Sequence, residues 1–142
     1  MWRCPACGRE FANRNQYHSC TRTSVAEHLA GVSDSVREIY ERFAALVRDQ
    51  GPVEIEALKT RIGFKRRNAF AAVTLRKRWM NGHLVIAEPF SHPLFERIES
   101  YSPRLHVHHF RIRSLADIDD AFALAIAEAC SLGAQEHLGE ER

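Results

Sequence analysis

Four residues near the start have the types and spacing of a metal site: Cys4, Cys7, His18 and Cys20. Three thiolates and one imidazole suit a tetrahedral zinc ion. Pro5 fixes a backbone angle, and Gly8 lets the chain turn back so that amides face the thiolates. With all four positions filled by protein, no place is left for a water, so the expected Zn2+ is structural rather than catalytic. A segment this short buries no core of its own, so Trp2, Phe11 and Tyr17 pack only once the metal holds the loop. A redox pair of Cys4 and Cys7 is the competing reading. It lacks a strand-to-helix context and leaves His18 and Cys20 idle.

A second set is electrostatic. Between Lys59 and Arg78 stand eight cations and no acid, whereas the whole chain carries a net charge of +2. Clustered like charge repels itself, and a bound polyanion relieves that repulsion. If 59–67 is a strand, period two puts Lys59, Arg61, Lys65 and Arg67 on one face and Thr60, Ile62 and Phe64 on the other. In the next run Ala69, Ala71, Val73 and Leu75 point inward, which sends Phe70, Thr74 and Arg76 outward. The bland alternative is a solvated hairpin face.

The elements that position these residues follow from periodicity. The 142 residues suit one domain with a small appendage: a zinc finger over 1–22, a connector over 23–31, an α+β domain over 32–135 and a tail over 136–142. Val36, Ile39, Tyr40, Phe43, Leu46 and Val47 recur at the helical spacing, with Ser33 or Ser35 as cap and Gly51-Pro52 as stop. Strands are expected from Val53 to about Arg113, with Asn81-Gly82 as a tight turn between Lys77 and the run His83–Ala87. Two further strands, 95–101 and 105–113, close through Ser102-Pro103-Arg104. A last helix begins at Ser114 and presents Ile118, Phe122, Ala125, Ile126 and Ala129. The expected fold is therefore two-layer α+β, an antiparallel sheet with an N-terminal and a C-terminal helix on one face and the other face open.

Trp2-Arg3-Cys4-Pro5-Ala6-Cys7-Gly8-Arg9, Gly51-Pro52-Val53 leading into Lys59-Thr60-Arg61-Ile62, and Tyr101-Ser102-Pro103-Arg104 before His106-Val107-His108-His109-Phe110 carry a resemblance. The chain resembles a bacterial family of uncharacterised domains, found alone, behind a short zinc finger, or appended to larger predicted transport proteins. That resemblance covers nearly all of the chain and implies no activity.

His106, His108 and His109 are the remaining cluster with chemical potential. A hairpin closed at 102–104 sets Ser100 opposite His106, Ile98 opposite His108 and Arg97 opposite His109. His106 and His108 then fall on the core side as structural histidines, and His109 joins Arg97, Arg111 and Arg113 on the open face. Cys130 on the last helix is core. The leading expectation is a nucleic-acid or polyanion-binding module, with Lys59, Arg61, Lys65, Arg67, Arg76, Arg111 and Arg113 on phosphates and Phe70 or Tyr101 stacking on bases. The alternatives are a small anionic-ligand or enzymatic site built from Lys59, Arg61 and His109, and a protein-interaction module. No nucleophile with its base, phosphate loop or carboxylate pair marks a reaction. The longest apolar run, Ala121–Ala127, is too short to span a bilayer, and no leader precedes Cys4, so the expectation is a cytoplasmic protein without a membrane partner.

Overall fold

The computed structural model describes residues 1–5, 10–12, 14 and 23–135. A two-stranded ribbon, β1 (Trp2–Arg3) and β2 (Glu10–Phe11), pairs Trp2 with Phe11 and Arg3 with Glu10. The expected connector contains a short helix, α1 (Val25–Leu29), capped by Ser24, and Leu29 is buried in the core of the domain. Gly31, at φ 82°, then makes the bend that an L side chain resists. Helix α2 (Asp34–Arg48) follows with Ser33 as its cap: the Val36 amide donates to Ser33 Oγ at 3.2 Å.

The sheet has six antiparallel strands: β3 (Glu54–Ala57), β4 (Ile62–Lys65), β5 (Ala69–Leu75), β6 (Met80–Ile86), β7 (Phe95–Ser102) and β8 (Leu105–Ile112), in the order β3-β4-β5-β6-β8-β7. The α+β class and the antiparallel sheet are as expected; the order is not wholly sequential. Strand β8 lies between β6 and β7, and residues 87–94 run back along the sheet to start β7. The Phe90 amide donates to His108 Nε2 at 2.8 Å, so this crossover lies on the helix side of β8. The 95–112 hairpin has the expected register, with Ser100, Ile98 and Arg97 opposite His106, His108 and His109.

Helices α2 and α3 (Asp120–Ala134) cover one face. Ile62, Phe64, Val73, Leu84, Phe110 and Ile112 point into that layer, where Phe43 sits 5.3 Å from Phe64 and 5.9 Å from Phe110 between ring centroids. The C-terminal helix starts later than expected. Ser114 opens only a 3-10 turn (Leu115–Asp117), whose Asp117 carboxylate accepts from the Arg113 and Ser114 amides, and Asp119 caps α3. No helix among the described residues is long and apolar enough to cross a membrane.

Three local expectations are corrected. The stretch 59–67 is not one strand: Leu58–Arg61 is a turn, closed by the Leu58 amide donating to Arg61 O at 2.8 Å, and β4 begins only at Ile62. Asn81-Gly82 is not a turn but the body of β6; the chain reverses at Arg76–Trp79, where the Arg76 amide donates to Trp79 O at 2.8 Å. Gly82 is there because the core closes tightly over it, since a Cβ would come within 2.5 Å of Ala72 O and 2.7 Å of Phe110 Cζ. Phe70 does not face solvent. The pairing shifts between Phe64–Ala71 and Lys65–Ala69, so Phe70 occupies a bulge and turns inward against Gly133, with no exposed surface.

Candidate nucleic-acid interface

Antiparallel order decides where the cations go. The β3–β4 turn, the β5–β6 turn and the C-terminal end of β8 all lie at the same end of the sheet. Lys59, Arg61, Arg76, Lys77, Arg78 and Arg113 therefore collect there, all exposed. The turns are tied together, because Thr74 Oγ1 donates to Thr60 O at 3.3 Å. Among the described residues none of these six side chains is hydrogen-bonded or ion-paired, so their charge is available. Glu56 of β3 lines the cavity beside Arg61 at this end, and the helix layer adds Asp34 at the start of α2 and Asp119 and Asp120 at the start of α3, each placed to offset a helix dipole.

The remaining candidates lie elsewhere. Lys65 and Arg67 stand at the opposite end, beside the 66–68 turn, and Tyr101 is at that end of β7 with two-thirds of its surface exposed. Around that turn the Asn68 amide donates to Gly133 O at 2.8 Å and Asn68 Nδ2 to Gln135 O at 3.0 Å. Arg66 and Arg67 thus sit by the C-terminus of α3, where positive charge complements the helix dipole. Phe70, inside the core, is withdrawn as a stacking residue.

The open face between the ends carries a row of paired positions, Gly63, Ala72, His83, His109 and Arg97, running across five strands. His109 Nε2 and Glu99 Oε1 are 2.6 Å apart, and the His83 and His109 rings are 6.0 Å apart. The His109 hydrogen bond, aided by Arg97, holds the Glu99 carboxyl below its ordinary range. Burial, with the charges of His109 and Arg61 beside it, pushes His83 down to about 4. His83 is a neutral imidazole at pH 7 and adds no charge to the face. Lys59, Arg61 and His109 do not converge on one pocket: the small cavity beside Arg61, about 130 Å³, has Glu56, Leu58 and His83 on its walls and not His109.

Two residues of this face were not found by sequence reasoning. Arg111 Nε donates to Asn81 Oδ1 at 3.1 Å, and its guanidinium carbon lies 5.2 Å from the centroid of Trp79. The two are Trp79 and His83: with a turn expected at Asn81-Gly82, Trp79 was passed over and His83 was read only as the start of the run His83–Ala87. A period-two reading from Met80 through Ile86 puts Asn81, His83 and Val85 on the open face.

On the covered face the other two histidines are structural. His108 Nδ1 donates to His106 O at 2.9 Å and its Nε2 accepts from Phe90, while His106 lies 2.7 Å from Ser100 Oγ. Cys130 is buried, and burial pushes its thiol up to about 11. Of the four expected metal ligands only Cys4 is described; it directly follows β1 and is 4% exposed. Cys7, His18 and Cys20 lie outside the described residues. No cluster of three or more metal-binding side chains occurs among the described residues.

No curated protein and no solved structure matches this chain. Residues 25–133 match the family described as Domain of unknown function (DUF5655), a span that begins at α1 and leaves the cysteine-bearing segment outside. Since that match covers most of its length, the chain belongs to the DUF5655 family.

Proposed function

We propose that this protein is a nucleic-acid-binding module that grips backbone phosphates with the basic end of its sheet. The observation that carries the reading is the convergence of two acid-free turns, with Arg113 at the adjoining strand end, on one exposed site of six unpaired cations. Unpaired positive charge at this density releases counterions from a polyanion, which is the main source of sequence-independent affinity. Since among the described residues no exposed aromatic side chain accompanies the turns, where Trp79 is half-buried, and Phe70 is buried, the binding is driven by phosphate rather than by base stacking.

The cysteine segment extends this module as a structural zinc site with Cys4, Cys7, His18 and Cys20 as ligands. A buried Cys4 leaving a two-stranded ribbon suits a knuckle that presents thiolates to one ion. The zinc would hold the segment folded and supply no reaction chemistry.

Fluorescence anisotropy with single-stranded and duplex oligonucleotides at low salt tests the reading. Wild type is expected to bind both, and Lys59→Gln, Arg61→Gln, Arg76→Gln and Arg78→Gln together are expected to weaken binding strongly while the circular dichroism stays native. Undiminished binding by that variant refutes the assignment to this end of the sheet.

A further inference from the structure

We infer that Arg111 is the phosphate-clamping residue of this surface, closing on backbone phosphates of nucleic acid as a fork held over Trp79 by its bond to Asn81. This deepens the function proposed above and rests on it. The turn cations are exposed on flexible stems, so each must be frozen when it meets a phosphate. Arg111 is different. It is half-buried, its Nε–H is engaged by Asn81 Oδ1 at 3.1 Å, and its guanidinium carbon lies over the Trp79 ring, 5.2 Å from the centroid.

Asn81 is the residue directly opposite Arg111 in the β6–β8 register, so the backbone itself sets the distance between them. With Nε spent, the remaining edge is the pair of Nη groups, whose spacing matches two oxygens of one phosphate. A guanidinium already anchored at Nε and seated over an indole loses less further freedom on binding, which makes it worth more than a mobile lysine of equal charge. Trp79 closes the turn that carries Arg76, Lys77 and Arg78, so the clamp and the mobile cations share one wall. The indole makes no hydrogen bond of its own: Trp79 Nε1 is buried with no partner among the described residues. Any change in how Arg111 lies on it alters its surroundings and hence its emission.

The chain has two tryptophans, so Trp2→Phe leaves Trp79 as the sole reporter. That protein is titrated with oligodeoxythymidylate and, separately, with inorganic polyphosphate, which repeats the charge without bases. Both are expected to shift Trp79 emission saturably. Arg111→Lys in this background is expected to weaken binding about tenfold and abolish the emission response, although the charge is kept. Arg111→Gln is expected to do the same and also lower the salt slope by about one contact, whereas Lys77→Gln lowers the slope with a smaller loss of affinity. Circular dichroism of each variant establishes that the fold is retained. If Arg111→Lys binds as tightly as its parent, or binding proceeds without any change in Trp79 emission, the clamp is wrong and the basic end still stands. Binding of polyphosphate alone overturns the assignment to nucleic acid, and binding of neither polymer at low salt removes both the clamp and the function on which it rests.

Discussion

His83 and His108 show how one residue type serves two faces of a sheet. On the covered face His108 uses both ring nitrogens, donating from Nδ1 and accepting at Nε2, which requires the neutral ring. Burial holds its pKa below the ordinary 6.5, and burial on the open face likewise pushes His83 down, to about 4. The unfolded chain takes up protons at these positions near 6.5 while the folded one does not. Stability is therefore whole above that pH and declines as pH falls through the window below it, at up to about 1.4 kcal/mol per pH unit for each histidine. Urea unfolding midpoints are expected to be level between about pH 8 and 7 and to fall toward pH 5. His83→Asn removes one contribution and makes that fall shallower; a midpoint independent of pH across the window contradicts the assignment. These roles were half legible. The alternation His106, His108 against His109 is plain in the sequence, but the run expected from His83 gave no sign that His83 pairs with His109 across the sheet.

A dipeptide that imitates a turn is the lesson at the scale of elements. Asn81-Gly82 has the local chemistry of a tight turn, yet Gly82 sits mid-strand because Phe110 and Val73 close over it. The real reversal, Arg76-Lys77-Arg78-Trp79, contains no glycine, proline, asparagine or aspartate to announce it. Gly82→Ala is expected to destabilise the protein by about 1–3 kcal/mol, since the nearest obstacle is a backbone carbonyl that cannot rotate away. The bulge at Phe70 was equally invisible, because strict alternation cannot anticipate an inserted residue. Phe70→Ala is expected to cost about 3–5 kcal/mol in chemical unfolding, whereas a solvent-facing phenylalanine would cost under about 0.5 kcal/mol. Helix α2 and the β7–β8 hairpin were readable for the opposite reason. Their patterns are long, and their caps and turn residues agree with their periodicity.

At the scale of the molecule, residues 23–135 carry a core to which even the short α1 contributes Leu29, and the family match spans that same region. The proposed zinc site lies before it. A chain beginning at Thr23 is expected to keep the thermal midpoint of the full-length protein, and metal analysis of the full chain is expected to find one zinc per chain that Cys4→Ser and Cys20→Ser together abolish. A metal content unchanged in that variant contradicts the ligand set. The basic stretch was visible as a run of charge, but its division between two ends of a sheet is a property of strand order. No count along the chain could reveal that Lys59 and Arg76 are neighbours while Lys65 and Arg67 lie a strand's length away. The salt dependence of binding to a single-stranded oligonucleotide reads that geometry directly, because each neutralised phosphate contributes about 0.7 to the slope of log affinity against log salt. Replacing Lys59, Arg61, Arg76 and Arg78 with glutamine is expected to flatten the wild-type slope by roughly three, and replacing Lys65 and Arg67 to leave it nearly unchanged. Equal slopes for wild type and the four-site variant, or a loss confined to the Lys65 and Arg67 variant, would contradict the basic end as the binding surface.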